Sequence, residues 1–185
     1  MKFLTAFALV VSTAFFPALS QNVNSHAPGY CPAAPVPPPG SIPASGDFIE
    51  LQRARCLGWC PAYTVRLYGD GRLIWHGEKY VIFVGDATAS VNGIWARSLL
   101  SQMQSKGFWS LCEVYLPHAT DGPTYTTIVS IAGHAKNVRE TVPSDVPSWL
   151  RDVGSQIDSL EPVKQWIGSS EDARKQFDKE LHKDH

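Results

Sequence analysis

Two cysteines four positions apart, in Cys56-Leu57-Gly58-Trp59-Cys60-Pro61, come nearest to chemistry by type and spacing. Three uses suit such a pair. Oxidised, it pins a tight turn through Gly58, worth about 2 kcal/mol for so short a loop. As a redox couple it needs a thiolate of lowered pKa, usually at a helix N-terminus. Here Pro61 runs into an alternating, strand-like segment, and the spacing is not Cys-x-x-Cys. As a soft-metal site of the copper-handling kind it needs a distant histidine, for which His76, His118 and His134 are available. An oxidising compartment favours the structural bridge over the other two.

Other constellations are thinner. His118 lies close in sequence to Asp121 in Thr120-Asp121-Gly122-Pro123, a loop where such an Asp usually caps a turn through its own backbone. This pair is the centre of the one enzymatic option. His182 and His185 at the C-terminus are a frayed tail rather than a metal site. Gly-x-Ser-x-Gly, His-Glu-x-x-His and phosphate-loop patterns are absent, so no catalytic, cofactor-binding or metal residue is assigned, and an enzyme is the weaker expectation. Trp59 sits at the tip of the cysteine loop, while the other tryptophans fall on expected core faces. It is the candidate contact for a partner or glycan, or else a plug on the end of the sheet.

Compartment and class follow from the rest of the chain. Lys2, the apolar run Phe3 to Phe16 and the small residues Ala18 and Ser20 read as a signal peptide over 1–20. The apolar run is too short for a permanent span, so no stable membrane anchor is expected after cleavage. Export to the periplasm or beyond makes four cysteines favour bridges. If Cys56 pairs with Cys60, Cys31 meets Cys112 or stays unpaired. The composition is 44% hydrophobic and 18% charged with a net charge of −1, which points to a globular core and gives nucleic acid no attractive field.

The elements that must position these residues come next. From Pro28 to Pro43 the chain carries seven of its fourteen prolines, which marks 21–46 as a proline-rich linker or stiff spacer. The globular domain spans 47–167, and 168–185 forms a short C-terminal helical tail with Ala173, Phe177 and Leu181 on one side. Within the domain, strands are expected at Phe48 to Arg53, Ala62 to Tyr68, Arg72 to His76, a central Lys79 to Val84, Tyr125 to Ile131 and Lys136 to Val142. Ser90 and Asp145 are the expected caps of two main helices.

The hairpin register follows from its apolar pattern. Only a three-residue Gly69-Asp70-Gly71 loop puts Tyr63, Val65, Leu67, Leu73 and Trp75 on one face, with Leu67 opposite Leu73 and Val65 opposite Trp75. His76 then faces away from the core. The expected fold class is α+β: an antiparallel sheet of about five or six strands in hairpins, with two main helices packed on one face.

The run Cys56-Leu57-Gly58-Trp59-Cys60-Pro61-Ala62-Tyr63, then Tyr68-Gly69-Asp70-Gly71 and Gly77, resembles the bacterial domain-of-unknown-function family numbered 6438. Gly107-Phe108, Tyr115, Asp121-Gly122-Pro123, Lys136, Val138 and Trp166 extend the resemblance over roughly residues 47–167. It implies an exported domain without an established activity and carries over no catalytic residue. The reading that results is a non-enzymatic binding or envelope-associated module with an unidentified partner, stabilised by a Cys56–Cys60 disulfide. A thiol-based metal or redox protein using the same cysteines is the alternative.

Overall fold

Among the described residues seven strands form one sheet, and alternation of apolar residues sorts the longer ones onto it. The computed structural model describes residue 31 and residues 35–118 and 121–181. The leader at 1–20, Thr120, His182 and His185 lie outside the described residues. The strands are β1 (Phe48–Arg53), β2 (Ala62–Tyr68), β3 (Arg72–Lys79), β4 (Gly85–Ser90), β5 (Val114–Tyr115), β6 (Thr124–Ile131) and β7 (His134–Thr141). Their spatial order is β4-β3-β2-β1-β6-β7-β5, antiparallel throughout except for the short parallel pair of β5 with β7. The helices are α1 (Gly93–Ser105), α2 (Ser148–Asp158), α3 (Glu161–Ile167) and α4 (Ser170–Leu181). This is an α+β fold with more strands than expected and one parallel pairing.

The β2–β3 hairpin has the register that its pattern demands, with Val65 opposite Trp75 and Leu67 opposite Leu73. Gly71 closes the loop at φ 92°, a left-handed value that a side chain disfavours. A side chain there would also strike the Val91 carbonyl. Inward positions of the sheet (Ile49, Leu51, Val65, Leu67, Trp75, Val129) share one core with Leu99, Leu100 and Met103 of α1, Leu150 and Ile157 of α2, and Val163 of α3. The opposite face is mixed, with Ile74 37% exposed and His76 paired to Asp86 at 2.6 Å.

Three local expectations change. The apolar run 80–84 is not a strand but the connection from β3 to β4. Its backbone bonds to the end of α3 instead, from Ile82 N–H to the Ile167 carbonyl and from Phe83 N–H to that of Trp166. The Phe83 carbonyl accepts from the Trp75 indole at 3.0 Å. Val81 joins the core while Phe83 and Val84 stay exposed, and the centre of the sheet falls to β1. The α1 cap is Asn92, whose carboxamide oxygen accepts from Ile94 and Trp95, since Ser90 still belongs to β4. Asp145 lies before the start of α2 and pairs with His118.

The described part of the proline segment, residues 35–46, lies on the domain. Pro37 and Pro43 are buried, and Val36 to Gly40 face the C-terminal part of α1 across a pocket of about 540 Å³. Asp47 secures the join, accepting from Ala44 N–H at 2.8 Å and from Ala132 N–H at 3.1 Å. Among the described residues, no helix is long and apolar enough to cross a membrane.

Candidate functional site

Where β1 ends, the chain makes the cysteine loop before entering β2, so the loop sits at one end of the central strands. Cys56 and Cys60 are bridged across it, with their Cα atoms 5.6 Å apart. A second bridge joins Cys31 to Cys112, and no described cysteine is free. Two bridges point to an oxidising compartment.

Trp59, at the loop tip, is 41% exposed. Its ring meets Tyr80 edge-on at 4.8 Å and Phe177 of α4 at 5.8 Å. The Arg174 guanidinium stands 4.7 Å from the indole, and the Lys79 ammonium lies over the Phe177 ring. The indole is thus packed by Tyr80 and by Phe177 and Arg174 of α4, and the rest of it meets solvent.

Beside the loop, a cleft of about 380 Å³ opens between it and α2, with Cys60 and Pro61 in one wall. A charged network lines it. Arg53 continues the inward parity of Ile49 and Leu51 at the end of β1, and its Nη2 donates to Asp158 Oδ2 at 2.8 Å. The Tyr63 hydroxyl donates to Asp158 Oδ1 at 2.7 Å. Arg53 is fixed from both sides: its guanidinium lies 4.1 Å from the Tyr125 ring centroid, and a Cβ on Gly154 would lie 2.7 Å from Nη2. Glycine in the middle of α2 is what lets the guanidinium pass so close.

Arg151, also in the lining, donates through Nε and Nη2 to Glu140 Oε2 at 3.0 and 2.8 Å. Burial pushes the Tyr63 hydroxyl well above the ordinary tyrosine value, with the Asp158 charge adding to the shift and Arg53 opposing it. The Arg53 guanidinium is held further in its charged form; burial alone would lower its pKa, but Asp158 and Tyr63 outweigh that. Tyr63 stacks on Trp75 at 4.7 Å, and Trp75 packs against Trp166 at 5.5 Å, so the network rests on an aromatic stack.

The other sequence candidates disperse. His118 bonds to Asp145 at 2.9 Å through Nε2 and takes the Pro143 carbonyl through its backbone N–H. Asp121 is exposed, and no bond joins the two. His76 lies on the mixed face of the sheet, and His134 opens β7 opposite Ile131. Among the described residues, no three His, Cys, Asp or Glu side chains gather closely enough to hold a metal ion.

Sequence reasoning missed Arg53, Asp158 and Arg151. Two signals were available: an arginine at an inward strand position, and a glycine inside an otherwise regular amphipathic helix. Neither signal says which partner arrives, because Asp158 lies 105 residues from Arg53.

A family model described as "Domain of unknown function (DUF6438)" matches residues 47–161. No curated protein and no solved structure matches the chain. The match takes in the cysteine loop, both partners of the Arg53–Asp158 pair and all seven strands described, leaving α4 and all but the first residue of α3 outside it. With more than half of its length matched, the chain belongs to the DUF6438 family of domains of unknown function.

Proposed function

We propose that the protein is an exported, non-enzymatic binding module that meets an envelope or extracellular partner through the disulfide-pinned end of its sheet. The observation that carries this reading is Trp59, held on a cross-linked loop with 41% of its surface exposed beside an open cleft. Exposed aromatic anchors on rigid loops lose little conformational entropy on binding and dominate many interfaces. Export is supported by the apolar leader together with the two bridges. A partner captured by the wild-type chain is expected to be held at least about tenfold more weakly by Trp59→Ala, the loss typical of an interface anchor. Equal capture by both chains, or turnover in a broad hydrolase screen, counts against the reading.

One contact favours a second reading, that of a thiol-based redox or copper-binding protein. The Gly58 backbone N–H donates to Cys56 Sγ at 3.2 Å, and such a donor stabilises a thiolate once the bridge is reduced. Peptide mass spectrometry after mild reduction and alkylation separates the two readings. The binding module is expected to keep its Cys56–Cys60 bridge under conditions that open the disulfides of exchange enzymes. Ready reduction, or stoichiometric Cu(I) on the reduced chain, would favour the second.

A further inference from the structure

We propose that the cleft beside the cysteine loop binds a neutral saccharide, gripping two adjacent hydroxyls between Arg53 and Asp158. The inference rests on the loop end being the recognition surface and names what that surface takes.

Charge decides the ligand class first. Both arginines of the cleft are already matched, Arg53 by Asp158 and Arg151 by Glu140. An anionic ligand reaching Arg53 meets the Asp158 carboxylate on the same guanidinium, and like charges at that range repel. A cationic ligand meets two guanidinium groups. A wholly apolar ligand would strip water from the remaining donors and acceptors without replacing it.

Hydrogen-bonding capacity then selects within the neutral class. A guanidinium offers five donors and an ionised carboxylate about four acceptor sites. Nη2 of Arg53 and one bond to each Asp158 oxygen account for part of that capacity. What remains is unused donor capacity on Arg53 beside unused acceptor capacity on Asp158, both in the lining of the cleft. A hydroxyl both donates and accepts, so two neighbouring hydroxyls on a sugar ring satisfy such a pair, one accepting from Arg53 and the other donating to Asp158. Pro61, Tyr125 and Ile167 supply apolar wall for the C–H faces of the ring.

Size and rigidity agree. The volume of about 380 Å³ falls at the small end of ligand pockets, suited to one or two sugar units rather than a long chain. Arg53 is clamped between Tyr125 and Gly154, and Tyr63 is stacked on Trp75, so binding orders little that is not already ordered.

The test is a titration of the disulfide-bonded protein, followed by backbone amide NMR, with maltose, cellobiose, diacetylchitobiose and, as the anionic control, glucuronate. At least one of the neutral sugars is expected to shift amides around Arg53, Tyr125 and Ser155 with a dissociation constant of about 1 mM or tighter. Ser155→Trp fills the cleft from an exposed position on α2 and is expected to weaken that binding about tenfold or more without changing the unfolding midpoint. No shift at the cleft with any neutral sugar, or tighter binding of glucuronate, overturns the proposal. A chain that takes no sugar yet still loses its partner with Trp59→Ala sinks the saccharide and leaves the binding-module reading standing.

Discussion

Replacing both Cys31 and Cys112 with serine is expected to lower stability by about 4 kcal/mol, roughly twice the loss from removing the Cys56–Cys60 bridge. The two bridges differ chiefly in what they close. Cys31 and Cys112 are 81 residues apart, whereas Cys56 and Cys60 are separated by four. Chain entropy removed from the unfolded state grows with the logarithm of that span, giving about 4–5 kcal/mol for the long loop and about 2 kcal/mol for the short one. A domain of this size is stable by only about 5–15 kcal/mol, so the long bridge accounts for a large share.

The native side of the long bridge is well braced. Cys112 N–H donates to the Tyr115 hydroxyl, and the buried Lys136 ammonium donates to the carbonyls of Trp109 and Leu111 just before it. Burial lowers the pKa of Lys136, with Glu113 opposing the shift. Urea denaturation of the two double-serine variants compares the losses directly. A smaller loss for the Cys31/Cys112 pair than for Cys56/Cys60 would mean that the proline segment is held to the domain without its bridge.

The parts of this fold that could be read from sequence are those whose causes are local. The Gly69-Asp70-Gly71 loop and the inward parity of Val65, Leu67, Leu73 and Trp75 both depend on residues a few positions apart. The run 80–84 misleads because an apolar stretch has the same composition in a strand and in a connection tied by its backbone to a helix end. Its true neighbours, Trp166 and Ile167, are more than 80 residues away. The parallel β5 is two residues long and carries no pattern at all. The partner of Cys31 is illegible for a similar reason, since nothing near it in the sequence indicates Cys112. The cysteine loop itself was legible, but the cleft beside it was not. One wall of that cleft is Arg53 of β1 and Tyr63 of β2, inward positions that read as core, and the facing wall is Arg151, Ser155 and Asp158 of α2, a helix about 100 residues further along the chain.

That helix is where the second large effect is expected: Asp158→Ala should cost about 3 kcal/mol or more. The side chain of Arg53 is only 11% exposed and that of Asp158 26%. Removing the carboxylate leaves a guanidinium lodged between Tyr125 and Gly154 with its charge unmatched, and costs of about 3–5 kcal/mol are usual for such a break. The partial exposure of Asp158 lets water reach the site, which places the expectation at the lower end of that range. The Tyr63 hydroxyl loses its acceptor in the same change.

Joint replacement by apolar residues of similar size, Arg53→Met with Asp158→Leu, should recover most of the loss, because neither charge is then buried alone. It should also abolish any sugar binding in the cleft. Alkaline pH probes the network a second way. The Tyr63 proton is held above its unfolded value of about 10, so its contribution is complete below about pH 10 and is lost as pH rises beyond it. Urea midpoints that fall above about pH 10 in the wild type, and less steeply in Asp158→Ala, are the expected signature. A loss of under about 1 kcal/mol for Asp158→Ala would be the value of an exposed ion pair. In that event Arg53 is not held rigidly enough to present its donors, and the saccharide grip that depends on it fails as well.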